Sequence, residues 1–189
     1  MVTDMLKEIG TNAIETERLI LRPFKLEDAA DMFRYWTSDK EVTKYLSWQA
    51  HPAVAATEAI LKLWLRSYDD PMCFRWAITV KDTGDHAVGI IDCVDMDKNI
   101  PSCEIGYALS KEFWGKGIMT EALRAVIAYM CEVGFVRIAA RHNTLNPASG
   151  KVMLKAGMTF EGVLRKSDIN NQGEAIDLAW YSYINENKE

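Results

Sequence analysis

The chain has 189 residues, 49% hydrophobic and 26% charged, with 27 acidic against 22 basic side chains and a net charge of −5. That length suits one domain burying roughly 70% of its unfolded surface, no segment reaches the ~20 apolar residues of a membrane helix, and the acidic balance disfavours a nucleic-acid partner while favouring a cationic one. Scattered cysteines (Cys73, Cys93, Cys103, Cys131) and histidines (His51, His86, His142) offer no zinc-ligand spacing, which predicts free, mostly buried thiols and no metal.

Met1 to Gly10 mixes charged and single apolar residues and lacks a secretory core, so a cytoplasmic location is expected. Arg18 to Pro23 alternates as a strand that the proline ends. A helical pattern starts at Leu26-Glu27-Asp28 and runs through Ala30, Phe33 and Trp36; a second follows Pro52, with Ala56, Ile60, Leu63 and Trp64 as its apolar face. Phe74 to Val80 and Ala87 to Val94 read as strands around a turn at residues 82–85, and Ser102 to Leu109 as the next strand after a turn at residues 97–99. From Thr120 the period lengthens: Leu123, Val126, Ile127, Met130 and Val133 form one stripe of a helix ending near Gly134. Val136 to Ala140 is a short strand, Pro147 to Ala156 a helix stopped by Gly157, and two strands flank the turn Asn170-Asn171-Gln172-Gly173. The succession predicts a mixed sheet with helices packed on it. With no repeat or linker, a single domain over 1–189 is expected, residues 1–13 being an N-terminal extension.

The segment richest in chemistry joins a strand to an amphipathic helix at Trp114-Gly115-Lys116-Gly117-Ile118-Met119-Thr120. Glycines let the main chain turn tightly and approach a ligand. The first amides of a helix lack internal partners and its dipole favours anions, so phosphate oxygens suit this place, with Lys116 adding charge. It is not a P-loop, which needs glycine where Ser110 stands and Ser or Thr where Gly117 stands. A dinucleotide fingerprint also fails, at Thr120. A plain strand-to-helix turn is the alternative reading.

Three segments in order resemble the GNAT acetyltransferase superfamily, and most closely its Rim-type branch, which N-acetylates ribosomal proteins. They are residues 14–23; Glu104 to Leu109 followed by Trp114 to Ile118; and Asn146-Pro147-Ala148-Ser149 with Lys155-Ala156-Gly157-Met158 behind it. The resemblance implies an α/β (α+β) fold: a mixed, mostly antiparallel seven-stranded sheet with a splayed parallel pair, flanked by helices. It implies acetyl-CoA as cosubstrate and no metal. Its pantetheine arm would lie along the strand of Tyr107 and Leu109 and be reached by Asn146. Its diphosphate would rest on Gly115, Gly117 and Met119, within the motif Trp114, Gly115, Lys116, Gly117, Ile118, Met119 and Thr120. Met119 stands where the family has a small residue and is expected to narrow the turn.

The implied reaction is attack of an amine on the thioester, with a main-chain amide near Tyr107 as oxyanion donor. The family's usual tyrosine acid is replaced by Met153, and the Rim-type resemblance points to Ser149, with capping of the helix start as its structural alternative. For the base, Glu104 and Asp168 compete with water; a cross-sheet ion pair is the plain alternative for Glu104, and a solvated hairpin position for Asp168. Another subgroup's glutamate position holds Arg141 here. Tyr35, Trp36, Tyr45, Trp48 and Trp64 are expected to pack, and His142 to be structural. The expected acceptor is a primary amine, a ribosomal-protein N-terminus first. A polyamine, aminoglycoside or amino acid, a non-catalytic acetyl-CoA-binding module, and a purely structural domain are the alternatives. Neither nucleic acid nor membrane is expected as partner, and the chain is expected as a monomer or homodimer.

Overall fold

Leu19 and Leu21 are fully buried while Ile20 faces outward, so the alternation at the start of the chain becomes strand β2 (Leu19–Arg22). In the computed structural model, which describes residues 6–186, a two-residue strand β1 (Ile14–Glu15) precedes it. The Thr16 amide, donating to the Leu19 carbonyl at 3.0 Å, turns the chain between them. Residues 1–5 of the expected extension lie outside the described residues. Its later part is tied to the body, with Thr11 Oγ1 donating to the Cys73 carbonyl and Trp76 Nε1 to that of Asn12, both at 2.7 Å.

The first helical region is short and broken. Helix α1 (Asp28–Met32) runs into a single π turn (Phe33–Thr37), and α2 (Lys40–Thr43) follows, capped by Asp39, whose carboxylate accepts the Glu41 amide at 2.8 Å. Helix α3 (Val54–Ser67) begins after Pro52 as predicted but is rotated from the predicted face. Thr57 and Leu61 are the buried positions, whereas Ile60 and Leu63 are 37% and 57% exposed. The stripe that meets the sheet is carried on by Trp64, Leu65 and Tyr68, and the buried Thr57 hydroxyl pairs with Thr37 at 2.9 Å. The buried face thus carries a hydrogen-bonded threonine that counting apolar residues passes over.

The remaining strands are β3 (Arg75–Val80), β4 (Gly89–Asp97), β5 (Ser102–Leu109), β6 (Arg137–Asn143), β7 (Thr159–Ile169) and β8 (Ala175–Ile184). They complete an eight-stranded sheet of order β1-β2-β3-β4-β5-β6-β8-β7, antiparallel except for β5–β6. The sheet has one strand more than the seven expected, because the opening segment breaks at residues 16–18 into β1 and β2. Its mixed, mostly antiparallel character and its single parallel pair match the expectation.

Helix α4 (Ile118–Val133) buries Ile118, Met119, Ala122, Leu123, Val126, Ile127, Met130 and Val133 on one face of the sheet. Each large side chain there contributes about 1.5–3 kcal/mol of burial. Helix α5 (Pro147–Lys155) joins the same face through Met153. Helices α1 to α3 cover the other face with a second cluster built on Phe24, Met32, Trp36 and Leu61. Alternation along β5 therefore divides its side chains: Cys103, Ile105 and Leu109 pack with α4 and α5, and Ala108 packs with α1 to α3.

Of the four free thiols only Cys103 is buried, contrary to the expectation that most would be. Cys73 lies in the loop before β3, Cys93 at the bulge in β4, and Cys131 off the buried stripe of α4. Among the described residues no helix is long and apolar enough to cross a membrane, and no group of His, Cys, Asp and Glu could hold a metal ion.

Candidate active site

Strands β5 and β6 share a ladder only where Ser102, Cys103 and Glu104 face Arg137, Ile138 and Ala139. Beyond it β5 stays bonded to β4 as far as Leu109 opposite Gly89, and β6 stays bonded to β8 as far as Asn143 opposite Leu178. Each strand is held by its outer neighbour, so their inner edges part into a wedge, and the β5 edge past Glu104 has no strand partner there. A cavity of about 70 Å³ opens in the wedge. Tyr107 from β5, Arg141 and His142 from β6, Asn146 and Ser149 from the start of α5, and Tyr45 from the first helical region line it.

On the α5 side, Asn146 Nδ2 donates to Ser149 Oγ at 3.1 Å, so the serine keeps its own hydroxyl hydrogen free to give. The Tyr107 hydroxyl donates to the Ser149 carbonyl at 3.1 Å, and burial pushes that phenol above its usual range. His142 Nδ1 donates to the Asn143 carbonyl at 2.7 Å, and among the described residues its buried Nε2 has no hydrogen-bond partner. A β-carbon at Gly150 would lie 2.6 Å from it, so the α5 main chain packs directly on the imidazole. His142, read from the sequence as structural, is packed under α5 and lines the cavity.

On the other side, Arg141 joins both carboxylates singled out in the sequence. Its Nε donates to Glu104 Oε1 at 2.8 Å, and its Nη1 lies 3.5 Å from Asp168 Oδ2. Its guanidinium lies 5.3 Å from the centre of the Trp180 ring. Glu104 has the cross-sheet ion pair foreseen as its plain alternative. Its side chain is 15% exposed against 41% for Asp168. Burial pushes Glu104 above the usual carboxylate range, outweighing the pull of Arg141, with Asp95 and Asp168 adding to the rise.

The glycine-rich turn follows β5. Trp114 Nε1 donates to the Leu109 carbonyl at 2.8 Å and braces the turn against the strand end. Gly115 (φ +72°) and Gly117 (φ +78°) are left-handed, a conformation costing an ordinary residue about 1–2 kcal/mol. Gly117 immediately precedes α4, and no side chain caps the helix. A β-carbon at Gly115 would meet nothing within 4 Å. Lys116 rests over the Phe113 ring, 5.5 Å from its centre. Met119 does not narrow the turn: only 6% exposed, its side chain packs into the core. Thr120 is half-buried in the first turn of α4.

The aromatic residues of the first helices mostly pack, as expected. Trp36 is fully buried with its indole N–H on the Ala87 carbonyl at 3.1 Å, Trp48 packs edge-on against it, and Arg75 covers Trp64. Tyr45, by contrast, reaches the cavity. Two further contacts escaped the sequence reading. Asn171 at the β7–β8 turn donates to the carbonyls of Thr43 and Trp48, tying the hairpin to the wall that carries Tyr45, and Arg18 reaches the glycine turn. Neither had a local signal, since each spans about a hundred residues or more.

A family profile described as the acetyltransferase (GNAT) domain matches residues 18–159. The Bacillus subtilis (strain 168) protein named uncharacterized N-acetyltransferase YoaA is 31% identical over 172 residues, covering 90% of this chain and 96% of its own. The ribosomal protein uS5-alanine N-acetyltransferase of Escherichia coli (strain K12) is 24% identical over 156 residues, 79% of each chain. Among solved structures, the microcin C7 self immunity acetyltransferase MccE, crystallised in complex with acetyl-CoA and AMP, shares the fold. Its TM-score is 0.81 at 24% identity, over 90% of this chain and 94% of that one.

Proposed function

The chain belongs to the acetyltransferase (GNAT) family, and from that premise we propose that it acetylates the N-terminal amine of a protein, a ribosomal protein being the first candidate. That it is an acetyl-CoA-dependent N-acetyltransferase follows from the family. The observation that carries the reading is the end of the β5–β6 ladder at Glu104, which opens the sheet between Ser149 on one face and the Glu104–Arg141 pair on the other. The acceptor class draws support from the ribosomal-protein acetyltransferase among the relatives.

The residues present fit acetyl-CoA chemically. A diphosphate needs bare amides and no side chain in the way, which the uncapped start of α4 and the two left-handed glycines offer. An extended amide-bearing arm needs an unpaired strand edge, which β5 offers past Glu104, near Tyr107 and Leu109. In this reading Trp114 to Thr120 hold the diphosphate and Asn146 helps to hold the arm. Acetyl-CoA supplies the activated acyl group when bound.

The protein's own part is to position, to accept a proton and to give one. Glu104, buried and at the apex of the wedge, takes the proton that the acceptor ammonium must lose before it attacks. Asp168, more exposed and held by the same guanidinium, adds negative charge that draws a cationic amine. Ser149, fixed by Asn146, hydrogen-bonds the departing sulfur and passes it a proton as the C–S bond breaks, regaining one from the nitrogen that has just been acetylated. A main-chain amide at or beside Tyr107 stabilises the oxyanion.

Turnover of acetyl-CoA measured side by side on N-terminal peptides, polyamines and aminoglycosides tests the acceptor class. The expected result is the highest kcat/KM on a peptide with a free N-terminus; a polyamine or aminoglycoside turned over at least as well would sink that part. Ser149→Ala is expected to lower kcat by about tenfold, one hydrogen bond's worth at the transition state, with acetyl-CoA affinity unchanged. A variant that binds more weakly but turns over normally would make Ser149 a structural residue instead.

A further inference from the structure

Thr16 and Arg18 lie in the turn between β1 and β2, yet their side chains work at the start of α4, about a hundred residues away. Glu121, in the first turn of that helix, accepts the Thr16 hydroxyl at 2.6 Å and the Arg18 main-chain amide at 2.9 Å on Oε1. Arg18 Nε donates to Oε2 at 2.6 Å. The same guanidinium continues to the glycine turn, where Nη1 donates to the Lys116 carbonyl at 2.9 Å. Its Nη2 lies 3.4 Å from the position a β-carbon on Gly117 would take.

Two consequences follow for an anion held on this turn. The Lys116 carbonyl and the Gly117 N–H belong to one trans peptide plane and point in opposite directions. Arg18, gripping the oxygen, therefore aims that N–H to the far side of the turn. The second consequence concerns charge. An acid in the first helical turn suits the dipole of an empty helix but repels a phosphate bound at the same end. Burial works against the ionisation of Glu121, but the bonds from Thr16 and Arg18 outweigh it and hold the carboxylate below its usual range, so the negative charge is present and needs an opposing one.

Resting on the reading that the cosubstrate diphosphate binds at the glycine turn, we propose that Arg18 is a positioning residue for acetyl-CoA: it orients the Lys116–Gly117 peptide and cancels the Glu121 charge beside the phosphates. Its action is confined to the phosphate end of the cosubstrate. Neither the acyl group nor the acceptor is touched by it.

The test is Arg18→Ala assayed with two acyl donors, acetyl-CoA and acetyl-pantetheine, which lacks the diphosphate. With acetyl-CoA, KM is expected to rise on the order of tenfold, the scale of a charge-assisted contact, with kcat within about twofold of the parent. With acetyl-pantetheine, variant and parent are expected to share the same KM. An equal penalty with both donors, or a fall in kcat with KM unchanged, would show that Arg18 merely braces the fold. Gly117→Asp run alongside separates the two ways of failing. If it binds acetyl-CoA normally, the phosphate site itself is misassigned; if it binds poorly while Arg18→Ala binds normally, only the role of Arg18 falls.

Discussion

Gly117→Asp is expected to weaken acetyl-CoA binding on the order of a hundredfold while costing the fold little. Gly117 sits at φ +78°, immediately before α4, with no side chain capping the helix. Aspartate is among the residues that enter the left-handed region most readily, so it costs this turn less than most side chains would. A β-carbon there would lie 3.4 Å from Arg18 Nη2, so the new acid gains a cationic neighbour. The left-handed backbone still strains any side chain, by about 1–2 kcal/mol or less for aspartate, and the cationic neighbour offsets part of that cost. The same carboxylate occupies the amides that a diphosphate needs and repels its charge. Calorimetric titration with acetyl-CoA and a thermal melt of the apo protein, measured on one preparation, check both halves. Parallel losses in affinity and melting temperature would mean that the turn is only structural.

Glu104→Gln is expected to lower kcat between about a hundredfold and ten-thousandfold, the range of a general base. Glutamine keeps the size of the side chain and an oxygen for Arg141, so acetyl-CoA affinity is expected to stay as it was. The pH dependence gives a second readout. Burial raises the pKa of Glu104, and the base acts only when ionised. Parent activity is therefore full above that raised pKa and falls as pH drops through it. Arg141 pulls the pKa down, so Arg141→Gln is expected to move the acid limb to higher pH. The other charges that act on it are Asp95 on the adjacent β4 and Asp168 on the edge strand β7, and both push the same way as burial. An acid limb that persists unchanged in Glu104→Gln would assign the proton to Asp168 or to water.

Much of the fold was legible along the chain because its signals are local. The period change at Thr120 marked α4 to within two residues of its start, Ser102 to Leu109 was read as β5 without error, and the hairpin turn fell where Asn170 to Gly173 stand. Each of these depends on residues within a few positions of one another, and a helix or strand period is a property of one segment. The glycine turn was legible for the same reason: two glycines between a strand and an amphipathic helix predict bare amides wherever that helix packs.

Tertiary structure alone decided how those segments meet. Nothing near Glu104 in sequence says that the β5–β6 ladder stops there; that depends on β4 and β8 pulling the two strands apart. Glu104 and Asp168 looked like competitors until Arg141 was found between them, on β6, which pairs with the Glu104 strand across a crossover and with the Asp168 strand not at all. Likewise the face of α3 was decided by what it packs against, Leu61 in the second cluster and Thr57 on Thr37, and the grip of Arg18 on Lys116 by the packing of β2 beside α4. Periodicity tells which side of an element is apolar; pairing across a hundred residues is set by register and crossover, which no single segment contains.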